Sequence, residues 1–342
     1  MPSMNARRAA LVWLALAAAA LAVFAAALAL GSVTVTPWQA LLALVHAPSH
    51  GAGAGQTSDL ASEIVRTLRL PRAAAGFACG ALLALAGALL QVLLRNPLAE
   101  PYVLGVSGGA AGFAVAALFA GCAGWLVDLA SFSGAALSIA LVLGLARREF
   151  WRGERQEASP RLLLTGVVVA TGWGAIITLF IALAPDNRLR SIVFWLTGDL
   201  NGAASPWTAL LALAVALIAS VPVAPQLNVL LRGDALASSL GVHAAKLRLR
   251  IYLVASLAAA ASVTTAGMIG FVGLVVPHAL RLVLGNDQRM LVPASALAGG
   301  VAVMGADLLA RTVIAPAQLP VGVVTALVGV PVFLWMLMGK RR

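Results

Sequence analysis

Charged residues are scarce in this chain, at 10% of its 342 residues, where a soluble domain carries about a quarter. With 61% hydrophobic residues and a mean hydropathy of +0.98, no water-soluble fold could hide the apolar surface. That leaves a polytopic membrane protein. Lysine is nearly missing. Lys246 follows Ala245, and Lys340 follows Gly339 but precedes Arg341, where a phosphate-cradling loop needs Ser or Thr. The chain therefore has no P-loop and is not read as an enzyme; if ATP and Mg are used, they belong to a separate subunit. Acidic residues number 12, and none pair in a pattern suited to general acid–base work. HExxH and G-x-S-x-G are also missing, which removes the chemistry those motifs carry. Two cysteines, Cys79 and Cys122, imply neither a disulfide framework nor a metal site. Both lie in apolar surroundings and are expected to be small buried hydrophobes. The four histidines are scattered; His46 and His50 fall in the loop after the first apolar run and are read as solvated. No resident metal or cofactor is expected.

What is present is a long series of apolar runs. Stretches able to span a bilayer fall at Leu11–Leu30, Ala73–Leu94, Val103–Ala120, Leu126–Leu145, Leu162–Leu183, Trp207–Val223, Ile251–Gly267, Met268–Leu284, Val292–Leu309 and Val321–Met338. The fold expected is all-α, a single domain over 1–342 with about ten transmembrane helices. Pro277 is expected to break the eighth, and Arg190–Thr197 to form a short extra helix at the outer surface. The first run is too long for a signal-peptide core and is read as an uncleaved helix. The net charge of +11 would suggest nucleic acid in a soluble protein. Here the basic residues sit mostly in short loops, so no nucleic-acid partner is expected. With the N-terminus inside, Arg66, Arg69, Arg72, Arg188, Arg190 and Arg311 fall outside and the other 17 of 23 basic residues inside. That asymmetry places both termini in the cytosol.

Glycine pairs at four-residue spacing, Gly76/Gly80, Gly105/Gly109 and Gly108/Gly112, are read as close helix packing. Asp307 and Arg311, four apart on one helix face, can pair, for structure or for function. Asp128 is expected at an outer helix end. Ala86-Gly87 precedes Pro97 by the same interval as Ala266-Gly267 precedes Pro277, a faint echo of duplicated halves with interrupted helices. Between the sixth and seventh runs, residues 226–250 form a long segment on the basic, cytosolic side. Within it Gly233, Asp234, Leu236, Ser239, Leu240 and Gly241 outline a short helix with a C-cap. Exposed Leu236 and Leu240 there suit either an ordinary connection or docking into a partner's groove.

Four motifs in order carry a resemblance. They are RNPLAEPYVLGVSGGA over 95–110, the 232–242 segment, GMIGFVGLVVPH over 267–278 followed by Arg281, and QLPVG over 318–322 with Gly329 and Pro331 downstream. The chain resembles, from Arg66 to Phe333, the permease subunits of type II ABC importers for cobalamin, haem and iron–siderophore complexes. The resemblance implies a homodimer in the bacterial inner membrane, with the lipid bilayer around it. It also implies two cytosolic P-loop ATPase subunits below and one periplasmic binding protein above. Haem ranks first as cargo, then cobalamin or an Fe(III)–siderophore. The 232–242 residues become the ATPase coupling element. Arg69, Arg72 and Arg311 become a basic docking ring for the binding protein. Asn96, Leu98, Ser159 and Pro160 become the cytosolic gate, with Pro160 departing from the hydroxyl residue the family often has there. Gln318 stands where the family has an acid, which removes a charge at the outer surface. A secondary transporter would instead need intramembrane acids for an ion; Asp307 is the candidate, with an arginine one turn away.

Overall fold

The computed structural model describes residues 6–31, 35–36, 38–39, 42–43, 61–146, 160–201 and 205–339. Eight helices among them are long and apolar enough to cross a bilayer, and two more, Val106–Ala120 and Val272–Leu284, are apolar but shorter. The chain is an all-α polytopic membrane protein. In order the helices are α1 (Ala6–Ala29), α2 (Leu70–Leu93), α3 (Val106–Ala120), α4 (Gly124–Leu145), α5 (Pro160–Leu183), α6 (Asp186–Leu196) and α7 (Trp207–Ser220). They continue with α8 (Ala224–Leu230), α9 (Asp234–Ser239), α10 (Ala244–Ala266), α11 (Val272–Leu284), α12 (Gln288–Thr312) and α13 (Val321–Gly339). A π-helical turn, Ile64–Arg69, leads into α2, and a 3₁₀ turn, Pro101–Leu104, precedes α3. The inner end of the molecule is the one where α1 begins.

α2 is the axis of the molecule. Its sequence is apolar all round, which suits a helix buried on every side, and 19 of its 24 residues are buried. α12, α10, α11 and α7 surround it. The approach is close because glycines face backbone: a Cβ on Gly80 would lie 2.1 Å from the Gly299 carbonyl oxygen, and one on Gly87 would lie 1.9 Å from that of Gly273. The four-residue glycine spacing therefore does mark packing faces. Gly109 meets Gly134 in the same way, and Gly112 meets the Trp173 ring. Small residues let helices pack where the bilayer offers no hydrophobic drive.

Four details depart from the sequence reading. α3 starts three residues late, because Pro101–Leu104 forms its own turn and Gly105 takes a left-handed φ of 75°. Residues 267–271 are non-helical, so the interruption precedes Pro277, which sits inside α11. Helix survives at Pro277 because Gln91 Nε2 donates to the carbonyls of Gly273 and Leu274, each at 3.4 Å. Gly273 is the residue four before the proline, whose carbonyl the missing N–H would leave open. The extra helix near Arg190 runs further, over Asp186–Leu196. Cys79 is buried as expected, whereas Cys122 is exposed in the turn between α3 and α4.

Candidate functional site

The segment between α2 and α3 does not stay at the inner surface. Pro101 Cδ would touch a Cβ on Gly273, and Gly273 itself packs on Leu83 and Gly87 of α2. Those α2 residues lie six to ten positions from its inner end, about 9–15 Å at 1.5 Å per residue. Gly105 packs against Gly166, Val169 and Ala170 of α5, which are equally far along that helix. The hairpin is thus re-entrant. Irregular backbone is tolerated at such depth when it is enclosed by protein. Pro101 and Leu104 are buried.

Its tip is locked to the other interruption. The Tyr102 hydroxyl donates to the Ile269 carbonyl at 2.8 Å and accepts from the Ile269 N–H at 2.7 Å. Glu100 Oε1 accepts from the Phe271 N–H at 3.0 Å, at the start of α11. A carboxylate at a helix N-terminus suits the unpaired amides and dipole there. The two segments that echo one another in sequence therefore meet in space. On the far side of 267–271, a Cβ on Gly267 would strike the Trp195 carbonyl, and one on Gly322 would strike those of Thr197 and Met268.

At the base of the hairpin lies a carboxylate hub. Arg95 Nη2 donates to Asp234 Oδ1 at 2.5 Å and to the Leu230 carbonyl at 3.0 Å. Arg248 of α10 holds the other oxygen of Asp234. Asp234 opens α9, whose N-cap Gly233 has φ 117°, a value glycine accepts readily. Leu236 and Leu240 are 40% and 62% exposed, while Ala237 is fully buried. So α9 packs one face and leaves two leucines outward at the inner end. Ser239 Oγ donates back to the Leu236 carbonyl, and Gly241 closes the helix with φ 76°. Asn228 on α8 bonds Asp287 at 2.6 Å and accepts from the Gln288 N–H, tying this corner to α12. Of the gate residues, Asn96 Oδ1 accepts from the Leu98 N–H at 2.9 Å, and Leu98 is exposed. Pro160 is the first residue of α5. Ser159, His46 and His50 lie outside the described residues.

A second hub lies at the outer end. Arg72 Nε donates to both oxygens of Asp307, at 2.9 and 3.0 Å, and Nη2 donates to Oδ1 at 2.7 Å. Its Nη1 reaches Asn201 and, at 3.1 Å, the Gln318 side-chain oxygen. Arg311 stands 3.7 Å from Asp307 and donates to the Ala27 carbonyl. The i,i+4 pair therefore exists, but Arg72 is the main partner, since a bidentate fork outweighs a single long contact. Arg69 is only 5% exposed; it donates to the carbonyls of Leu28 and Ala29 at the end of α1. The three arginines gather at one end as expected. Arg69 and Arg311 turn inward onto the last carbonyls of α1, whereas Arg72 keeps its Nη1 edge at the surface. Gln318 meets Arg72 as a neutral acceptor. Asp128 is exposed in the second turn of α4.

Glu100, Tyr102 and the Arg95–Asp234–Arg248 hub were not singled out by the sequence reading. Two signals were there: a charged residue between Pro97 and Pro101, and an acid opening a short helix in a chain poor in acids. Among the described residues no group of three metal-binding side chains occurs.

Comparison with known proteins matches residues 18–339 to the model of the FecCD transport family. The cobalamin import system permease protein BtuC of Halobacterium salinarum is 41% identical over 310 residues, covering 89% of this chain and 80% of that protein. The vitamin B12 import system permease protein BtuC of Vibrio cholerae is 41% identical over 82% of this chain and 84% of that protein. Among solved structures, a metal-chelate type ABC transporter in an inward-facing conformation superposes with a TM-score of 0.79 at 27% identity. That match covers 96% of this chain and 99% of the other.

Proposed function

We propose, for a chain that belongs to the FecCD transport family and is an ABC importer permease, that its cargo is a corrinoid of the cobalamin class. The observation that supports this most is the 41% identity to cobalamin permeases from two distant organisms, over four-fifths or more of each chain. Haem, which the sequence ranked first, has no comparable support among those relatives; the metal-chelate neighbour keeps haem and Fe(III)–siderophores as the second reading. The chain works as a homodimer in the bacterial inner membrane, with its inner end in the cytosol. Two P-loop ATPase subunits dock on α9 through Leu236 and Leu240, an apolar patch with no bilayer to enter. Asn96, Leu98, Ser159 and Pro160 form the cytosolic gate. A periplasmic binding protein docks at the outer end. Of Arg69, Arg72 and Arg311, it reaches Arg72, whose Nη1 contacts lie at the surface. An ion-coupled secondary transporter is the weaker alternative, because Asp307 is clamped by two arginines and Glu100 caps α11.

The test is ATP-driven uptake into vesicles holding the chain with its ATPase, supplied with binding protein loaded with cobalamin, haem or a ferric siderophore. The corrinoid reading expects uptake with cobalamin. Uptake with haem or siderophore alone would replace it with the second reading.

A further inference from the structure

Arg95 breaks a local rule. It follows α2 at the position where a helix most often ends on a left-handed glycine. It holds φ 45°, one of only two non-glycine residues at positive φ among the described residues. An arginine has no backbone reason to be there, so its side chain must supply the reason. That side chain ends on Asp234 at 2.5 Å and on the Leu230 carbonyl at 3.0 Å. One guanidinium thus joins the end of α8, the start of α9 and the first residue of the re-entrant hairpin. Asn96 and Leu98 follow at once. The tip of the hairpin is bonded through Glu100 and Tyr102 to residues 269–271. α9 itself packs mainly on α8 and α10. Beside the junction is a cavity of about 320 Å³ lined by Gln91, Arg95, Pro97, His278 and Arg281, among others. The base of the hairpin therefore borders unfilled space.

We infer that Arg95 is a positioning residue that carries displacement of α9 into the hairpin, and so links ATPase docking to the opening of the gate. The inference rests on the importer reading above. A force on α9 reaches Asp234, whose two oxygens hold two different elements. The Arg248 half only returns it to α10, the helix that follows α9 in the chain. The Arg95 half is the one that leads to the gate.

The test uses the full complex of this chain, its ATPase and its binding protein in vesicles, with cobalamin as the probe. In Arg95→Asn, asparagine tolerates the left-handed backbone but is too short to reach Asp234. The complex should assemble and hydrolyse ATP, while cobalamin moved per ATP falls about tenfold, the scale of a typical coupling between sites. Arg248→Asn, which breaks the other half of the same carboxylate's contacts, should cost less than about threefold. Arg95→Lys should recover part of the loss, since it keeps the charge and a donor for Asp234 but not the planar guanidinium. Three results would overturn the inference: wild-type coupling in Arg95→Asn, loss of ATPase subunits from that variant, or an equal loss in Arg248→Asn. A wild-type complex that hydrolyses ATP yet moves no cobalamin overturns the corrinoid reading, and the same variants are then compared on haem and a ferric siderophore; if wild type moves none of them, the importer reading and the relay both fall. If wild type transports, the relay is judged alone.

Discussion

Two carboxylates organise opposite ends of this molecule, and each is held by two arginines, yet the surroundings differ. Asp307 joins α2 to α12, two helices already in backbone contact through Gly80 and Gly299. Its side chain is 4% exposed. Asp234 joins a six-residue helix to the base of the hairpin and to α10. Its side chain is 16% exposed and that of Arg95 is 23%. The same ion-pair chemistry serves as a rivet in the first case and as a linkage in the second. What decides is the packing around the pair. Between surfaces that cannot move, a buried pair adds rigidity. Between small, half-exposed elements it transmits whatever moves either one.

The comparison breaks most severely if the rivet's surroundings are not in fact rigid. Gly80→Val places side-chain atoms where a Cβ would already lie 2.1 Å from the Gly299 carbonyl oxygen. Because the obstacle is backbone, the cost should be at least about 3 kcal/mol, read as loss of monodisperse protein after detergent extraction. Normal yield and melting would show that α2 and α12 can separate. Next in size is Asp307→Ala, which strips Arg72 and Arg311 of their shared carboxylate. Removing one partner of a buried pair costs about 3–5 kcal/mol, so the melting temperature should drop sharply. A drop no larger than that of an exposed control would mean that water or lipid replaces Asp307.

The inner end should respond in function rather than in stability. Leu240→Asp puts a charge into the apolar patch on α9, and a hot-spot contact is worth about 2 kcal/mol or more. ATPase co-purification should fall more than tenfold while melting of the isolated chain stays put, since Leu240 is 62% exposed. Undiminished co-purification would remove α9 from the ATPase interface. The smallest effect expected is that of Gln318→Glu. It offers Arg72 a charged acceptor in place of a neutral one at 3.1 Å, and an exposed pair is worth about 0–1 kcal/mol. A small upward shift in melting, reduced by salt, is the result to look for.

How much of this could be seen in the sequence depends on how local the cause is. The apolar runs announce themselves by composition, and all ten correspond to helices. Helix ends were less legible. Pro277 looked like a break because its neighbours in sequence offer no substitute donor. The substitute is Gln91 on another helix, which no local pattern reveals. In the same way, the i,i+4 rule singled out Arg311 for Asp307, while the stronger partner, Arg72, lies far away in sequence. The resemblance makes the three outer arginines a docking ring, which says nothing of what their side chains touch. Their guanidinium groups satisfy the last carbonyls of α1 and a buried carboxylate. Apolar neighbours suggest a buried Cys122, but Gly121 turns the chain there with φ 77° and leaves it exposed. The short helix at α9 and its outward leucines were legible, because Gly233 and Gly241 mark its ends and Leu236 and Leu240 share one face.

The contrast between rivet and linkage is tested most directly by hydrogen exchange on the full chain with and without its ATPase bound. Two stretches are compared, residues 96–105 in the hairpin and residues 300–310 around Asp307. ATPase binding should change exchange in the hairpin of the wild-type chain and leave it unchanged in Arg95→Asn, with 300–310 unaffected in both. An equal change in the hairpin of Arg95→Asn, or a change of similar size around Asp307, would contradict the account.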